Sequence, residues 1–471
     1  MFHRHSRSVQ IRNCAQLEAK LGPKVSFPGS SVFINEQNGI SGYWAIAEQN
    51  VIPACRITPT DTHDVATAVT ELANLNCQFA IRGGGHMFWA GSANIANGVT
   101  IDLTAMIEIA VSQDRKVTSA GPGCLWKDIY NKLDPMNLAV VGGRADTVGI
   151  AGLTVGGGNS WFASRYGFVC DNVVNFEIVL ASGKIVNANE THYSDLYKAL
   201  KGGGNNFGVV TRFDYKTFEQ GEFWGGFLVF PNNATAGQLQ AVQNFNSASG
   251  MGTDDYAAFE SIYVFNSSGQ TALAAILAYT KPVAYPPIFN GIQDVKPQLA
   301  NDLRFTNLSN LSTEAGRDVL DVPKGNYVWA HLSFSNNATT LAKANAIMQE
   351  VFTDLPTKGK NYTFTLQPSF DKISRTYMGV PGTNFASQFW EPEDEGVINA
   401  ATARYIDRVN AYTKSVGQFQ RSVYMGYAYP TQPVIEGYGR ENVELLREVS
   451  RRYDPEGVFQ RLVPGGFKLG M

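Results

Sequence analysis

The sequence is poor in charge and contains no long apolar run. Charged residues make up 17% of the 471 residues, and the formal net charge is only −3. So small a net charge gives no electrostatic reason to bind nucleic acid or an anionic membrane. No apolar run approaches the roughly 20 residues that a membrane-spanning helix needs. We therefore expect neither a nucleic-acid partner nor a membrane partner.

Several common motifs are also missing. The chain has no CxxC pair and no HExxH, so it offers neither a zinc knuckle nor a zincin site, and we predict no metal. GxSxG is missing as well, which removes support for a nucleophile-elbow hydrolase. Neither GxGxxG after a strand nor GxxxxGK[ST] occurs, so the usual nucleotide signatures are not available.

The chain contains few cysteines, and their number is odd. The five cysteines allow two disulfides and one free thiol. We predict pairs between Cys14 and Cys55 and between Cys77 and Cys124, with Cys170 free. Spacing does not decide the connectivity, because four cysteines allow three pairings.

N-glycosylation sequons are frequent for a chain of this kind. Seven occur, and they start at Asn189, Asn233, Asn266, Asn307, Asn310, Asn337 and Asn361. This number favours a secreted glycoprotein. The opening MFHRHSRSVQIRN has no apolar segment typical of a signal peptide, so either a leader has been removed or the protein is intracellular.

The pattern along the chain predicts an α+β fold. Strands and short helices alternate over residues 1–220, including a helix at Leu125–Leu133 and a hairpin around Ser182-Gly183. Longer β-type runs with intervening helices follow over residues 221–418, which is typical of a sheet that carries helices on one face. Residues 419–471 return to tight turns and end in a helix.

Glycine is plentiful, and it is clustered. Three runs, Gly83–Gly85, Gly156–Gly158 and Gly202–Gly204, all lie in the first half of the chain. Successive backbone N–H groups in such loops can hold a phosphate, although plain tight turns explain any one run equally well. His86 directly follows the first run and would lie beside whatever that loop holds. A neutral imidazole there is a competent nucleophile, whereas the alternative is a histidine that caps the turn.

Five motifs in order resemble one family. They are RGGGH (82–86), TVGIAGLTVGGG (147–158), YGFVCDNVVNFEIVLASGKIV (166–186), DLYKALKGGGNNFGVVTRF (195–213) and YDPEGVF (453–459). Together they are similar to the vanillyl-alcohol oxidase family and, within it, to the fungal berberine-bridge-enzyme-like branch. The resemblance implies a PCMH-type FAD-binding domain over residues 1–220, with its core at about 48–218. It also implies a substrate-binding domain over residues 221–418 and a C-terminal segment, residues 419–471, that returns to the FAD domain.

The resemblance also implies how the cofactor is held. His86 occupies the position of a histidine that bonds covalently to the flavin 8α carbon. A second link found in many members comes from a cysteine, but here that position is Ala145, so we expect FAD to be attached through His86 only. The residue that governs oxygen access is Val148, the type associated with oxidases. The remaining cofactor-binding residues implied are Arg82, Gly83, Gly84, Gly85, Thr147, Gly149, Gly152, Gly157, Gly208, Val210 and Tyr427.

The same resemblance implies an oxidase. A hydride from an alcohol, a phenol or an amine-bearing molecule would pass to flavin N5, and dioxygen would reoxidise the flavin to give hydrogen peroxide. Candidate bases are Tyr427 and Tyr429, expected on a flavin-facing strand, and Glu260, which could face either the pocket or solvent. The family's N-Y pair reads Gly426-Tyr427 here, so an expected amide near the flavin is lost.

The sequence is also compatible with other functions. One alternative is a carbohydrate oxidase, against which Ala145 counts. Another is a non-redox flavin-binding scaffold or a surface glycoprotein. We expect a monomer whose partners are a small-molecule substrate and dioxygen.

Overall fold

The structure is a computed structural model that describes residues 2–39, 42–247, 254–266, 271–320, 325–353, 355, 363–369 and 382–470. Its three sheets and surrounding helices confirm the α+β prediction. None of the helices in these ranges is long and apolar enough to cross a membrane.

The first sheet has four strands in the order β1-β2-β4-β3, with β4 parallel to both of its neighbours. Its strands are β1 (Val25–Ser26), β2 (Cys55–Ile57), β3 (Phe79–Arg82) and β4 (Val99–Asp102). Helices α1 (Phe2–Leu21) and α4 (Thr62–Asn74) contribute to its apolar core, and α2 (Ser31–Asn38) and α3 (Ile46–Gln49) lie between them in the chain. The Asp61 carboxylate caps α4 by accepting hydrogen bonds from the N–H groups of His63 and Asp64.

The second sheet is antiparallel and is organised around its longest strand. Its strands are β5 (Ile109–Val111), β6 (Val117–Ala120), β7 (Leu138–Val140), β8 (Val173–Val179), β9 (Ile185–Asn189) and β10 (Val209–Glu219). Helices α5 (Trp126–Leu133), α6 (Ile150–Val155), α7 (Ala163–Tyr166) and α8 (Ser194–Leu200) accompany it. The predicted helix at Leu125–Leu133 and the predicted hairpin around Ser182-Gly183 are both confirmed, because α5 matches the former and β8 pairs with β9 across the latter.

Within the described residues, the third sheet has eight antiparallel strands. They are β11 (Phe223–Phe230), β12 (Ala257–Asn266), β13 (Thr271–Tyr279), β14 (Ala300–Asn301), β15 (Arg304–Thr306), β16 (Asn326–Ser333), β17 (Thr363–Ser369) and β18 (Gly382–Phe389). Helices α9 (Thr235–Phe245), α10 (Asn290–Gln293), α11 (Leu308–Leu320), α12 (Ala338–Thr353) and α13 (Glu395–Ser415) belong to this part of the chain.

Alternate residues of the third sheet enter different cores. On β12, Phe259 and Tyr263 pack with α9, α12 and α13, whereas Ala258 and Ile262 pack with the core of the second sheet. This is the period of two that a strand imposes on its side chains. Glu260 is in phase with Ala258 and Ile262, so strand geometry turns it away from the helices.

The last fifty residues return to the first two sheets. Helices α14 (Val434–Gly437), α15 (Arg440–Tyr453) and α16 (Val458–Arg461) lie here. Val423 and Met425 join the core of the second sheet, and Val458 and Phe459 join that of the first. The end of the chain therefore holds together elements from its beginning.

The cysteine prediction is half right. Cys14 and Cys55 form a disulfide that ties α1 to β2, as predicted. The predicted Cys77–Cys124 bond is wrong: the two sulfur atoms are not bonded to each other, because Cys77 is buried in the core of the first sheet and Cys124 in that of the second. Cys170 is free and buried, as expected.

Candidate active site

A cavity of about 280 Å³ lies where the three sheets and the C-terminal segment meet. One wall consists of the loop after β3 and the start of α6, and we call it the glycine wall. A second part of the lining carries side chains from the loop before α6, from β12 and β16, and from residues 424–427. We call it the charged wall, because Arg144 and Glu260 lie in it.

The glycine wall rests on an unusually close contact between two backbone segments. A Cβ atom placed on Gly84 would lie 2.5 Å from Gly149 Cα, and one placed on Gly149 would lie 2.5 Å from Gly84 N. Real Cβ atoms do not approach backbone this closely, so both positions need glycine. Gly152 differs, because nothing lies within 4 Å of a Cβ built there. This glycine leaves open space inside the cavity.

The glycine wall also presents free backbone donors. The N–H groups of Gly83, Gly84 and Gly85 donate no hydrogen bond to any residue in the part of the chain that the structure describes. Unpaired N–H groups in a glycine-rich loop suit an anion such as a pyrophosphate. The first glycine run is therefore consistent with the phosphate loop expected from the sequence.

The second glycine run differs from the first, because its N–H groups already donate hydrogen bonds within the chain. The N–H of Gly157 donates to Thr154 O at 3.1 Å. The N–H groups of Gly158 and Asn159 both donate to the Tyr424 hydroxyl, at 3.1 and 3.2 Å. These donors hold the C-terminal segment and are not available to a cofactor.

His86 lies at the end of the glycine loop with an unsatisfied nitrogen. Its ring stacks on Trp44 with centroids 4.5 Å apart, and Trp44 stacks in turn on Tyr327 at 3.7 Å. The Nε2 atom is buried and has no hydrogen-bond partner among the described residues. Burial lowers the pKa of His86 to about 4, so the imidazole is neutral near pH 7. A buried, neutral and unpartnered nitrogen beside a cavity is available to bond to a ligand.

Arg82, expected to bind the cofactor, does not line the cavity. Its guanidinium is buried beneath the loop, where it pairs with Asp102 at 2.8 Å and donates to Glu36 O at 2.7 Å. Arg56 pairs with the same Asp102 carboxylate at 2.7 Å. The network underlies the glycine loop, because a Cβ on Gly85 would lie 2.9 Å from Arg82 Nε. Arg82 thus shapes the loop from below.

The charged wall contains one connected polar group. Arg144 Nη1 pairs with Glu260 Oε2 at 2.8 Å, and Arg144 Nη2 donates to the Tyr427 hydroxyl at 3.0 Å. Both charged side chains are nearly buried, with 12% of Arg144 and 7% of Glu260 exposed. Burial raises the pKa of Glu260, and the Arg144 charge opposes that rise.

Aromatic rings surround this polar group. Trp329 stacks on Tyr427 with centroids 5.1 Å apart and an interplanar angle of 17°. Tyr424 meets Tyr427 edge to face at 5.2 Å. The Arg144 guanidinium lies 5.6 Å from the ring of Trp161. The charges are therefore held in a largely apolar setting.

The residues singled out from the sequence divide into two groups. Those that line the cavity are Gly83, Gly84, Gly85, His86, Val148, Gly149, Gly152, Glu260 and Tyr427. Those that do not are Arg82, Thr147, Gly157, Gly208, Val210 and Tyr429. Thr147 is exposed, and Val210 is buried in the core of the second sheet. A Cβ on Gly208 would lie 2.5 Å from Val179 O, so this glycine is needed for packing against β8.

The expected flavin-facing strand near the C-terminus is not formed. Met425–Tyr427 make a single 3₁₀ turn, which puts Tyr427 in the cavity. Tyr429 lies outside it and packs against the helix-covered core of the third sheet. Its ring lines a separate small cavity together with Glu395 and Trp89.

Sequence reasoning missed Arg144 and Tyr424. Arg144 stands directly before Ala145, in a loop considered only for the missing cysteine link. A lone arginine in a glycine-bounded apolar loop was the available signal. Tyr424 gave no signal of its own, because its partners are backbone groups of Gly158 and Asn159, more than 260 residues away.

Comparisons with known proteins agree with this geometry. Residues 53–189 match the family described as an FAD binding domain. The chain is 34% identical to the FAD-dependent monooxygenase sdcF of Emericella nidulans, over 97% of this chain and 98% of that protein. It is 32% identical to the FAD-dependent monooxygenase tpcD of Cochliobolus heterostrophus, over 92% and 88%.

Solved structures share the fold at low sequence identity. 6-Hydroxy-D-nicotine oxidase from Arthrobacter nicotinovorans superposes with a TM-score of 0.79 at 18% identity, covering 94% of this chain and 97% of that one. BBE-like 1 from Physcomitrella patens gives 0.77 at 18% identity, covering 97% and 99%. A carbohydrate oxidase from Microdochium nivale gives 0.76 at 19% identity, covering 95% and 98%.

Proposed function

Because this chain belongs to the berberine-bridge-enzyme-like branch of the vanillyl-alcohol oxidase family of FAD-dependent oxidoreductases, we propose that it is an oxidase of a small organic molecule. The substrate is an alcohol, a phenol or an amine-bearing compound, and the products include hydrogen peroxide. The observation that supports this most directly is that a glycine loop with His86 lines the same cavity as Glu260 and Tyr427.

The glycine wall fits FAD. The free N–H groups of Gly83–Gly85 suit its pyrophosphate, and the open space beside Gly152 leaves room for it. When bound, FAD accepts a hydride from the substrate and passes the electrons to dioxygen. His86 supplies the covalent anchor through its unpartnered Nε2. Ala145 also lines the cavity but has no nucleophile, so His86 is the only link.

Val148 lies in the same cavity, directly before Gly149. We assign to it the control of oxygen access that its position in the family implies. A Val148→Leu variant that reoxidises slowly in air, with unchanged reduction by substrate, is the expected behaviour.

The charged wall supplies the proton chemistry. Glu260 is the buried carboxylate that takes the proton from the hydroxyl or amine of the substrate as its C–H bond is broken. Its burial raises its pKa, which makes it a stronger base than an exposed carboxylate. Tyr427 binds the same oxygen or nitrogen by hydrogen bonding. Trp329 and Tyr424 provide the apolar surface that an aromatic substrate needs.

Two measurements test the function. Alcohols, phenols, amines and oligosaccharides are screened for substrate-dependent peroxide release, and the active ones are then run under ¹⁸O₂. The proposed oxidase releases labelled peroxide in a one-to-one ratio with product and leaves the product unlabelled. Label in the product identifies a monooxygenase instead, the activity that the names of the similar fungal proteins carry. Turnover of oligosaccharides would identify a carbohydrate oxidase, and a flavin that no compound reduces would identify a scaffold.

We further propose that the protein is a secreted glycoprotein. The Cys14–Cys55 disulfide supports an oxidising compartment. Asn233 and Asn310 are exposed, whereas the side chains of Asn189 and Asn337 accept hydrogen bonds from nearby backbone N–H groups. The Asn361 sequon lies outside the described residues. Mass loss on treatment with an N-glycosidase after expression in a eukaryotic host tests the modification.

A further inference from the structure

We propose that Arg144 is a positioning residue that makes the cavity selective for uncharged substrates. It balances the negative charge of Glu260 and fixes the orientation of the Tyr427 hydroxyl. The inference rests on the proposed function and deepens it by naming a substrate class. Its starting point is one guanidinium that joins three distant parts of the chain.

The geometry fixes Arg144 on two sides. One guanidinium nitrogen pairs with Glu260 on β12 at 2.8 Å, and the other donates to Tyr427 in the 3₁₀ turn at 3.0 Å. The guanidinium is planar, so two bonds to two different partners set its orientation. Arg144 itself comes from the loop that leads into α6, and its position therefore relates the glycine wall to the charged wall.

The charges of this pair cancel within the cavity. Arg144 and Glu260 are the only charged side chains among the described residues that line it. Because Glu260 is nearly buried, removal of Arg144 would leave its carboxylate as a poorly solvated charge. A charged substrate would face the same penalty, since the described lining holds no further charged side chain to neutralise it. An uncharged molecule can bind without disturbing the pair.

Arg144 also determines what Tyr427 can offer. The phenol oxygen accepts from Arg144, and no acceptor for the phenol proton exists among the described residues. The Tyr427 O–H is therefore free to donate to an oxygen or nitrogen of a bound substrate. Glu260 uses Oε2 for Arg144, so Oε1 remains to accept a proton from the same substrate.

Two small aromatic probes test the selectivity. Phenol and benzoate have similar size, and at pH 7 one is neutral and the other is an anion. Binding to the flavin-loaded protein is followed by the change in flavin absorbance and by calorimetry, without turnover. We expect the wild type to bind phenol at least tenfold more tightly than benzoate. Glu260→Gln should reverse this order, because benzoate then takes the place of the lost carboxylate beside Arg144.

A matched control separates this effect from a general change in charge. Glu177→Gln removes one carboxylate from a different ion pair, with Arg212 on the second sheet, and should leave the preference for phenol intact. If Glu260→Gln still prefers phenol, or if the wild type binds neither probe, the proposed selectivity is wrong.

The pH dependence tests the positioning role. In Arg144→Met, the loss of the cation should shift the acid limb of kcat/KM upward by one pH unit or more, because burial then acts on Glu260 unopposed. Arg144→Lys, which keeps the charge, should restore most of the shift. The other titratable groups that line the cavity are His86, Tyr424 and Tyr427, and none of them is altered. An unmoved acid limb in Arg144→Met would overturn the positioning role.

Failure of the proposed function would give a different result. If no compound reduces the flavin, the oxidase assignment fails, although the order of phenol and benzoate binding can still be measured. If turnover is found but the binding order does not respond to Glu260→Gln, only the role of Arg144 fails.

Discussion

The two walls of the cavity are built by opposite means. The glycine wall presents backbone atoms and depends on the absence of side chains at Gly84 and Gly149, whereas the charged wall is formed by long side chains. The first wall comes largely from two short contiguous stretches of sequence. The second is assembled from Arg144, Glu260 and Tyr427, which are separated by more than 100 residues along the chain. This difference explains why one wall can be identified from sequence and the other only from the folded chain.

The largest expected effect concerns the histidine of the glycine wall. His86→Ala should abolish covalent flavin completely, because the variant has no nucleophile at that position. After acid precipitation the wild-type chain should stay yellow and fluoresce on a denaturing gel, and the variant should not. His192→Ala, which alters an exposed histidine, should keep the full signal. Flavin that stays bound to denatured His86→Ala would place the link elsewhere.

The next effect concerns the charged wall. Glu260→Gln should lower kcat/KM roughly 100- to 1000-fold, the usual contribution of a general base. In the wild type the rate should fall as the pH drops through the raised pKa of Glu260, because a protonated carboxylate cannot accept a proton. The variant should lose this acid limb while covalent flavin content stays at the wild-type level. A rate within a few-fold of wild type would assign the base to another group.

The addition of one methyl group to the glycine wall should lower the stability of the protein. Gly84→Ala should lower the free energy of unfolding by about 3 kcal/mol, because its Cβ would meet the backbone of Gly149 and neither segment can yield cheaply. Gly396→Ala is the matched control, since it lies exposed in α13 with nothing within 4 Å of the added atom. That change should be neutral or stabilising by about 0.5–1 kcal/mol. Denaturant unfolding of both variants measures the difference, and equal stabilities would contradict the close contact.

The smallest effects distinguish two neighbouring tyrosines. Tyr427→Phe removes a hydrogen bond with Arg144 and should lower kcat/KM roughly 10- to 100-fold, the range expected for a bond to a charged group. Tyr429→Phe keeps a half-buried ring that lies outside the cavity, so kcat/KM should stay within about twofold of wild type. Steady-state kinetics on the same substrate compare them. Equal losses would show that the turn at Met425–Tyr427 does not separate their roles.

The fold was accessible from sequence wherever the signal was local. Two β-rich runs around the Ser182-Gly183 turn predicted the β8–β9 hairpin, and the apolar stripe of Trp126, Ile129 and Leu133 predicted α5. The predicted C-terminal strand failed because its residues are held by distant groups. Tyr424 bonds to the backbone of Gly158 and Asn159, and these contacts stabilise a turn that local patterning does not indicate.

Some residues of the candidate site could likewise be predicted from the sequence, and others could not. Gly83–Gly85 and His86 are adjacent in sequence, so their joint role could be predicted. Glu260 could only be called a candidate, because alternation tells which side chains share a face but not what lies against that face. Cys77 and Cys124 show the same limit, since membership of different cores depends on tertiary packing.

The last residues of the chain complete a cavity that the first residues begin. Trp44 and His86 from the early part of the chain line it together with Tyr424, Tyr427, Gly466 and Phe467 from its end. On the ribosome, the histidine therefore emerges hundreds of residues before the segment that encloses it. Because domains fold as they are synthesised from the N-terminus, the lining of the cavity stays incomplete until the C-terminal segment has been made. The cavity is closed only when synthesis is nearly finished, and capture of the cofactor is expected to be among the last steps in the maturation of the protein.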